Sequence, residues 1–163
     1  MKRAFITGGS GHVGANLTRR LINQGWRVRC LVHNDTRALE GLDVDCVHGD
    51  LLDEDFLSQQ MQDCYAVFHA AAKVAIENID IPLMEKINIG GTRSMCNAAL
   101  HSDIGRFVHF SSIHAFEQKP LQATLDENRP LVDETGSAPY DSTKASAEPV
   151  SYTHLTLPTI CSV

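Results

Sequence analysis

Thr7-Gly8-Gly9-Ser10-Gly11-His12-Val13-Gly14 is the stretch on which the fold turns. It follows the apolar run Ala4-Phe5-Ile6 and opens an amphipathic stretch from Val13 to Ile22. A glycine turn between a strand and a helix is the setting in which such a stretch holds a dinucleotide. Gly9, Gly11 and Gly14 fit G-x-G-x-x-G, and Gly8, Gly11 and Gly14 fit G-x-x-G-x-x-G. The early glycines permit a tight turn and let backbone approach a pyrophosphate, and Gly14 lets helix and strand pack closely. Free N–H groups at the helix N-terminus then face the phosphates.

Beyond this turn, strands and helices alternate. Arg27 to Val32 and Val44 to His48 read as strands, Glu54 to Met61 as a short helix, and Ala66 to His69 as a fourth, apolar strand. Pro82 to Leu100 is a long helix with proline in its first turn. Phe107 to Phe110 is a fifth strand, and Ser137 to Glu148 starts another helix. Apolar strands alternating with helices predict an α/β, doubly wound parallel sheet of Rossmann type. The expected strand order is 3-2-1-4-5, with ligands at the carboxyl ends of strands 1 and 4. Ala70, Ala71 and Ala72 follow strand 4, and their small side chains would let a cofactor lie close to the backbone. The irregular segment from Gln118 to Ser137 is long enough to suggest a functional loop.

The 163 residues suffice for one domain with a real core, and the net charge of −6 argues against non-specific nucleic-acid binding. No apolar run approaches a membrane span. Met1-Lys2-Arg3 leads straight into the first strand, which leaves no room for a signal peptide and implies the cytoplasm. The five cysteines show no C-x-x-C spacing; Cys30 and Cys46 fall in apolar runs and are expected as buried thiols. The eight histidines have no ligand pattern, so no metal site is expected.

Tyr140-Asp141-Ser142-Thr143-Lys144 puts a tyrosine and a lysine on one helical face. A free tyrosine titrates near about 10, and a neighbouring ammonium lowers that value. A tyrosine so tuned can give or take the proton of a hydroxyl or carbonyl. Phe110-Ser111-Ser112 ends strand 5 at the same sheet edge, where a serine can hold a reacting oxygen or simply cap loose backbone.

Together these motifs resemble the extended short-chain dehydrogenase/reductase superfamily, over roughly residues 2 to 148. The resemblance rests on Thr7 to Gly14, Gly49-Asp50-Leu51, Val67-Phe-His-Ala-Ala-Ala72, Asn88-Ile-Gly-Gly-Thr92, Phe110-Ser-Ser112 and Tyr140-Asp-Ser-Thr-Lys144, in that order. It implies that Tyr140 is the acid/base, Lys144 its partner and a ligand of the nicotinamide ribose, and Ser112 the residue that polarises the substrate oxygen. Asn88 would support the active-site backbone. Gly8, Gly11, His12, Val13 and Gly14 would cradle the pyrophosphate, Asp50 and Leu51 would flank the adenine, and Ala70, Ala71 and Ala72 would lie along the cofactor. The segment Ser112-Ile-His-Ala-Phe116 departs from the Tyr-Gly ending usual in sugar epimerases and is closer to the dihydroflavonol-reductase-like and 3β-hydroxysteroid-dehydrogenase-like branch. His114 could touch substrate or be a plain loop residue.

NAD enzymes usually place an acid at the end of strand 2. Here that position is His33, Asp35 follows two residues late, and Arg37 could receive a 2′-phosphate, so the cofactor is NADP or NAD with a lean to NADP. The expected activity of the intact protein is hydride transfer between nicotinamide and a secondary alcohol or ketone. The alternatives are a sugar-nucleotide epimerase or dehydratase with tightly held NAD, and a non-catalytic NAD(P) sensor. The partner is a small-molecule substrate, with no nucleic acid and no membrane. The resemblance implies a homodimer through the long helix and the catalytic helix.

Members of the superfamily usually continue into later strands and a substrate-binding domain, which are expected to be missing from this chain. Residues 149–163 hold no charged residue, and Pro149 is expected to interrupt the catalytic helix. Val150 to Thr159 can be encoded by a string resembling a transposase adapter of sequencing libraries. Residues 1–148 are therefore expected to be a partial NAD(P)-binding domain, and 149–163 a non-native tail. Such a fragment is expected to be inactive, of open dimerisation state, and exposed along strand 5.

Overall fold

The computed structural model describes residues 1–74, 80–126, 128–133, 137–154 and 160–162, with side chains to Tyr152. Six parallel strands form one sheet: β1 (Arg3–Thr7), β2 (Arg27–Val32), β3 (Asp45–His48), β4 (Ala66–His69), β5 (Arg106–His109) and β6 (Ile160–Ser162). Their spatial order is β3-β2-β1-β4-β5-β6. The predicted order 3-2-1-4-5 is therefore present, and the sheet goes one strand further. β6 pairs with β5 from Phe107↔Ile160 to His109↔Ser162. The edge of β5 is covered where the sequence suggested exposure, because its free backbone groups are satisfied by a parallel neighbour.

Helices cover both faces, as continuous apolar strands require. On one face Ala4, Ile6, Val28, Cys30 and Val32 pack against Leu21 of α1 (His12–Asn23). On the other, Phe5, Val67 and Phe107 meet Leu57 and Met61 of α2 (Glu54–Met61) and Met95, Cys96 and Ala99 of α4 (Gly91–Leu100). Cys30 is buried as expected, but Cys46 is exposed. It lies on β3, the outermost strand on its side of the sheet.

The long helix is not uniform. α3 (Ile81–Glu85) starts with Asp80 accepting from the Leu83 N–H, passes through a π-helical turn at Lys86–Gly90, and continues as α4. π-turns of this kind occur frequently at functional positions, and this one carries Asn88.

The catalytic helix α5 runs from Pro139 to His154 with Pro149 inside it. Proline removes one ladder bond, yet Pro149 is exposed while Val150 and Ser151, the two residues that follow it, are buried, so packing carries the helix through. The described part of the long loop is pinned by Arg129. Its guanidinium donates to the carbonyls of Lys119, Pro120, Ala123 and Thr124 at 2.6 to 3.1 Å.

Candidate functional site

The glycine turn sits at the carboxyl end of β1, where β1 and β4 part. Gly8 has φ of +70°, a conformation that side-chain-bearing residues rarely adopt. A Cβ there would lie 2.6 Å from the Ala70 carbonyl carbon. The turn therefore packs directly on the backbone that follows β4, and Ala70 is where Gly8 needs room. A Cβ on Gly14 would overlap Gly8 O, so this glycine closes the helix onto the turn itself rather than onto the strand. Gly11 caps α1 with extended backbone, and its N–H donates to Gly8 O at 2.9 Å. No side chain caps α1 and no acid lies in its first turn. His12 and Val13 are exposed on that turn.

A groove of about 690 Å³ opens at this point. It is lined by Gly8 and Ser10 of the turn, Val32 and His33 at the end of β2, and Asp50 and Leu51 after β3. Ala71, Lys73, Leu83, Lys86 and Ile87 complete it on the far side. The Asp50 carboxylate accepts from the Leu52 N–H at 3.0 Å, which shapes the corner beside buried Leu51. Leu51 in turn fits the flank of Gly91, where a Cβ would come within 2.5 Å of Leu51 Cδ2. A groove of this volume, with the Gly8 contact in its wall, an apolar corner at Leu51 and the uncapped start of α1 next along the chain, fits a dinucleotide.

Arg37 is exposed on a 3₁₀ turn at Arg37–Leu39. Its Nε and Nη2 donate to the Asp35 carboxylate at 3.0 and 2.8 Å. That guanidinium holds Asp35 down to about 2.

A second cluster forms where β5 meets α5. Lys144 is 3% exposed, and its Nζ donates to the Phe110 carbonyl at 2.8 Å. Burial lowers its pKa from 10.5 to about 8, opposed in part by Glu148. Ser112 Oγ accepts from the His114 N–H at 3.2 Å and so caps the 3₁₀ turn Ile113–Ala115. The Tyr140 ring lies half-buried against His114, with ring centroids 6.1 Å apart, and His114 Nδ1 is 3.3 Å from Asp141 Oδ1. Ser112, Tyr140 and Lys144 are thus gathered at one end of the sheet. In this arrangement serine and lysine bond backbone at the end of β5.

Asn88 is 2% exposed and clamps the backbone of Lys73. Its Oδ1 accepts from the Lys73 N–H at 2.7 Å, while its Nδ2 donates to Lys73 O at 3.1 Å and to Thr143 Oγ1 at 3.0 Å. It joins the groove to α5. Ser10, Lys73 and Lys86 were not among the expected site residues. Lys73 and Lys86 lie outside the glycine motif, and only the packing of α3 and the π-turn against the strand ends brings them to the groove. Among the described residues no His/Cys/Asp/Glu group is arranged to hold a metal, and no helix is long and apolar enough to cross a membrane.

Comparison with known proteins agrees with this geometry. A protein of Synechocystis sp., provisionally named as a dihydroflavonol 4-reductase, is 42% identical over 76% of this chain and 36% of its own length. A ketoreductase of Stigmatella aurantiaca, named for a 4-hydroxy-2-methyl-3-oxo-4-farnesyl-3,4-dihydroquinoline-1-oxide substrate, is 35% identical over 90% of this chain and 44% of its own. A short-chain dehydrogenase/reductase superfamily protein of Agrobacterium tumefaciens, solved with bound NAD, superposes with a TM-score of 0.81. It is 29% identical, over 99% of this chain and 47% of the other. The chain thus spans between about a third and a half of the length of these relatives. The model of the NAD dependent epimerase/dehydratase family matches residues 4–153, from β1 almost to the end of α5. With that match covering the glycine turn, the groove and the β5–α5 cluster, the chain belongs to the NAD dependent epimerase/dehydratase family.

Proposed function

We propose that the protein containing this chain is an NAD(P)-dependent oxidoreductase acting on a secondary alcohol or ketone. The observation that carries the reading is Lys144, a nearly buried lysine held on the Phe110 carbonyl one helical turn from Tyr140, at the sheet end that also bears the glycine turn. When bound, the nicotinamide would accept or supply the hydride. Tyr140 gives or takes the proton of the substrate oxygen, and Ser112 orients that oxygen by exchanging its backbone bond for one to the substrate. Lys144 supplies positive charge that favours the phenolate. Asn88 holds the Lys73 backbone and, through Thr143, the start of α5.

The pyrophosphate would lie on the turn from Gly8 to Gly14, with Asp50 and Leu51 flanking the adenine. The lean to NADP rests on His33 and Arg37 following β2. Asp35 weighs for NAD, because a 2′-phosphate would have to displace its two bonds to Arg37. Comparing NADH and NADPH affinity for this chain and for Asp35→Asn separates the two, with NADPH binding expected to gain from the substitution. The activity itself is tested in the full-length protein. Tyr140→Phe is expected to reduce turnover by about 10² or more, and unchanged turnover would refute the acid/base role.

The sugar-nucleotide epimerase or dehydratase remains the second reading, supported by the family to which the chain belongs. Release of oxidised or reduced cofactor into solution during turnover separates the two, since an epimerase returns its hydride internally.

A further inference from the structure

Beneath the groove runs a line of buried polar side chains to which the chemistry above gives no task. Thr7 Oγ1 lies 2.7 Å from His69 Nδ1, and His69 Nε2 lies 3.1 Å from Thr92 Oγ1. Thr92 Oγ1 lies 2.7 Å from Asn88 O. Thr7, His69 and Thr92 are each no more than 1% exposed. The line begins at the last residue of β1, directly before Gly8. It ends on the residue that clamps Lys73 and bonds Thr143.

The proton positions follow from the chemistry of the partners. A carbonyl can only accept, so the Thr92 hydroxyl donates to Asn88 O. Thr92 Oγ1 therefore accepts from His69, which places the imidazole proton on Nε2. His69 Nδ1 is then a lone pair and accepts from the Thr7 hydroxyl. Thr7 Oγ1 is free to accept from the Ala71 N–H, at 3.4 Å. Every bond runs in one direction, from the backbone beside the groove to the π-turn. A protonated His69 would place two donors where one acceptor is required. Burial favours the neutral ring first, and the Lys144 charge adds to it; His109 lies beside the ring at 5.5 Å between centroids.

We propose that His69 is a positioning residue of the cofactor site, which fixes the base of the glycine turn relative to the Asn88 clamp by accepting from Thr7 and donating to Thr92. The proposal rests on the dinucleotide reading given above. The line sets the distance between the two walls of the groove, since Thr7 belongs to β1 and Asn88 to the π-turn. Breaking it at any link loosens the same spacing, so the links act as one unit.

The test uses the whole chain and fluorescence titration with NADH and NADPH. Thr7→Val and Thr92→Val keep shape and remove one link each. Each is expected to weaken binding about tenfold, with the double variant no weaker than either alone, as coupled sites behave. Thr92→Ser restores the hydroxyl and is expected to bind within about twofold of wild type. Nitrogen-15 NMR is expected to show His69 with its proton on Nε2, and the Ala71 and Lys73 amides are expected to exchange faster in both valine variants. Wild-type affinity in the valine variants, independent multiplying losses, or a proton on Nδ1 would each overturn the proposal. A wild-type chain that binds neither nucleotide overturns the dinucleotide reading instead, and the tautomer and exchange measurements then still decide whether the line ties turn to clamp.

Discussion

Lys144 keeps its charge where little water reaches it, and that has a thermodynamic signature. Its pKa falls from 10.5 to about 8 on burial. Between those values the unfolded chain holds more protons than the folded one, so stability rises as pH increases from about 8 to 10.5. Below pH 8 the buried charge is a constant penalty, of about 3 kcal/mol at 1.36 kcal/mol per pKa unit. Lys144→Met is therefore expected to raise stability by about 1 to 3 kcal/mol, the lost bond to Phe110 O offsetting part of the gain. Its denaturant midpoint should no longer rise between pH 8 and 10.5. A less stable methionine variant would show that the ammonium is held by more than that carbonyl. At this scale Tyr140, Lys144, Ser112 and Asn88 were legible as candidates because each sits in a short motif, and the fold brings them to one end of the sheet. Thr7, His69 and Thr92 were not legible as a unit. They lie on three elements, and only the register His69 shares with Thr7 across β4 and β1 makes them neighbours.

Elements were read from periodicity and punctuation, and the glycine turn shows both the reach and the limit of that reading. The sequence located the turn, while the partner that makes Gly8 obligatory, the Ala70 backbone, becomes visible only in the fold. Gly8→Ala combines a positive φ with overlap against backbone that cannot yield. It is expected to destabilise the chain by about 2 kcal/mol or more, and to abolish detectable NADH binding; calorimetry of both properties checks it. α2, β2 and β4 have the bounds expected of them: β2 and β4 are short apolar runs, and α2 starts directly after the capping Asp53. The π-turn inside the long helix was not legible, since Lys86 to Gly90 carries the same 3.6-residue pattern as its surroundings. Pro149 misled for a related reason. A proline rule is local, and the burial of Val150 and Ser151 that overrides it is tertiary.

For the molecule as a whole, the two-faced sheet was legible from alternation alone, and the sixth strand was not. One consequence of the deep packing between β4, β5 and α5 concerns acid. His69 and His109 are both 1% exposed, and burial pushes both imidazoles down, His109 to about 3. Their unfolded counterparts titrate at 6.5, so the unfolded chain binds more protons as pH falls below that value. Stability is expected to fall as pH drops from about 6.5 toward 3, with His109 alone contributing about 2 kcal/mol by pH 5. Urea unfolding at pH 5 and 7 measures the difference, and His109→Leu should shrink it. A difference unchanged in that variant would assign the acid sensitivity to other groups.

The strand order also governs how the molecule is assembled in time. β1 lies in the middle of the sheet yet precedes the other five described strands in the chain. It gains β2 within one helix and turn, and β2 gains β3 soon after, so half of the sheet can form early from a contiguous stretch. Its other edge must wait for β4, which lies across the groove. Until residue 69 has left the ribosome, a nascent chain offers a nucleotide one wall and no other, and β1 keeps an open edge to which a stray strand could add. The seam proposed to hold the cofactor is thus also the place where a half-made chain is most exposed to a wrong partner.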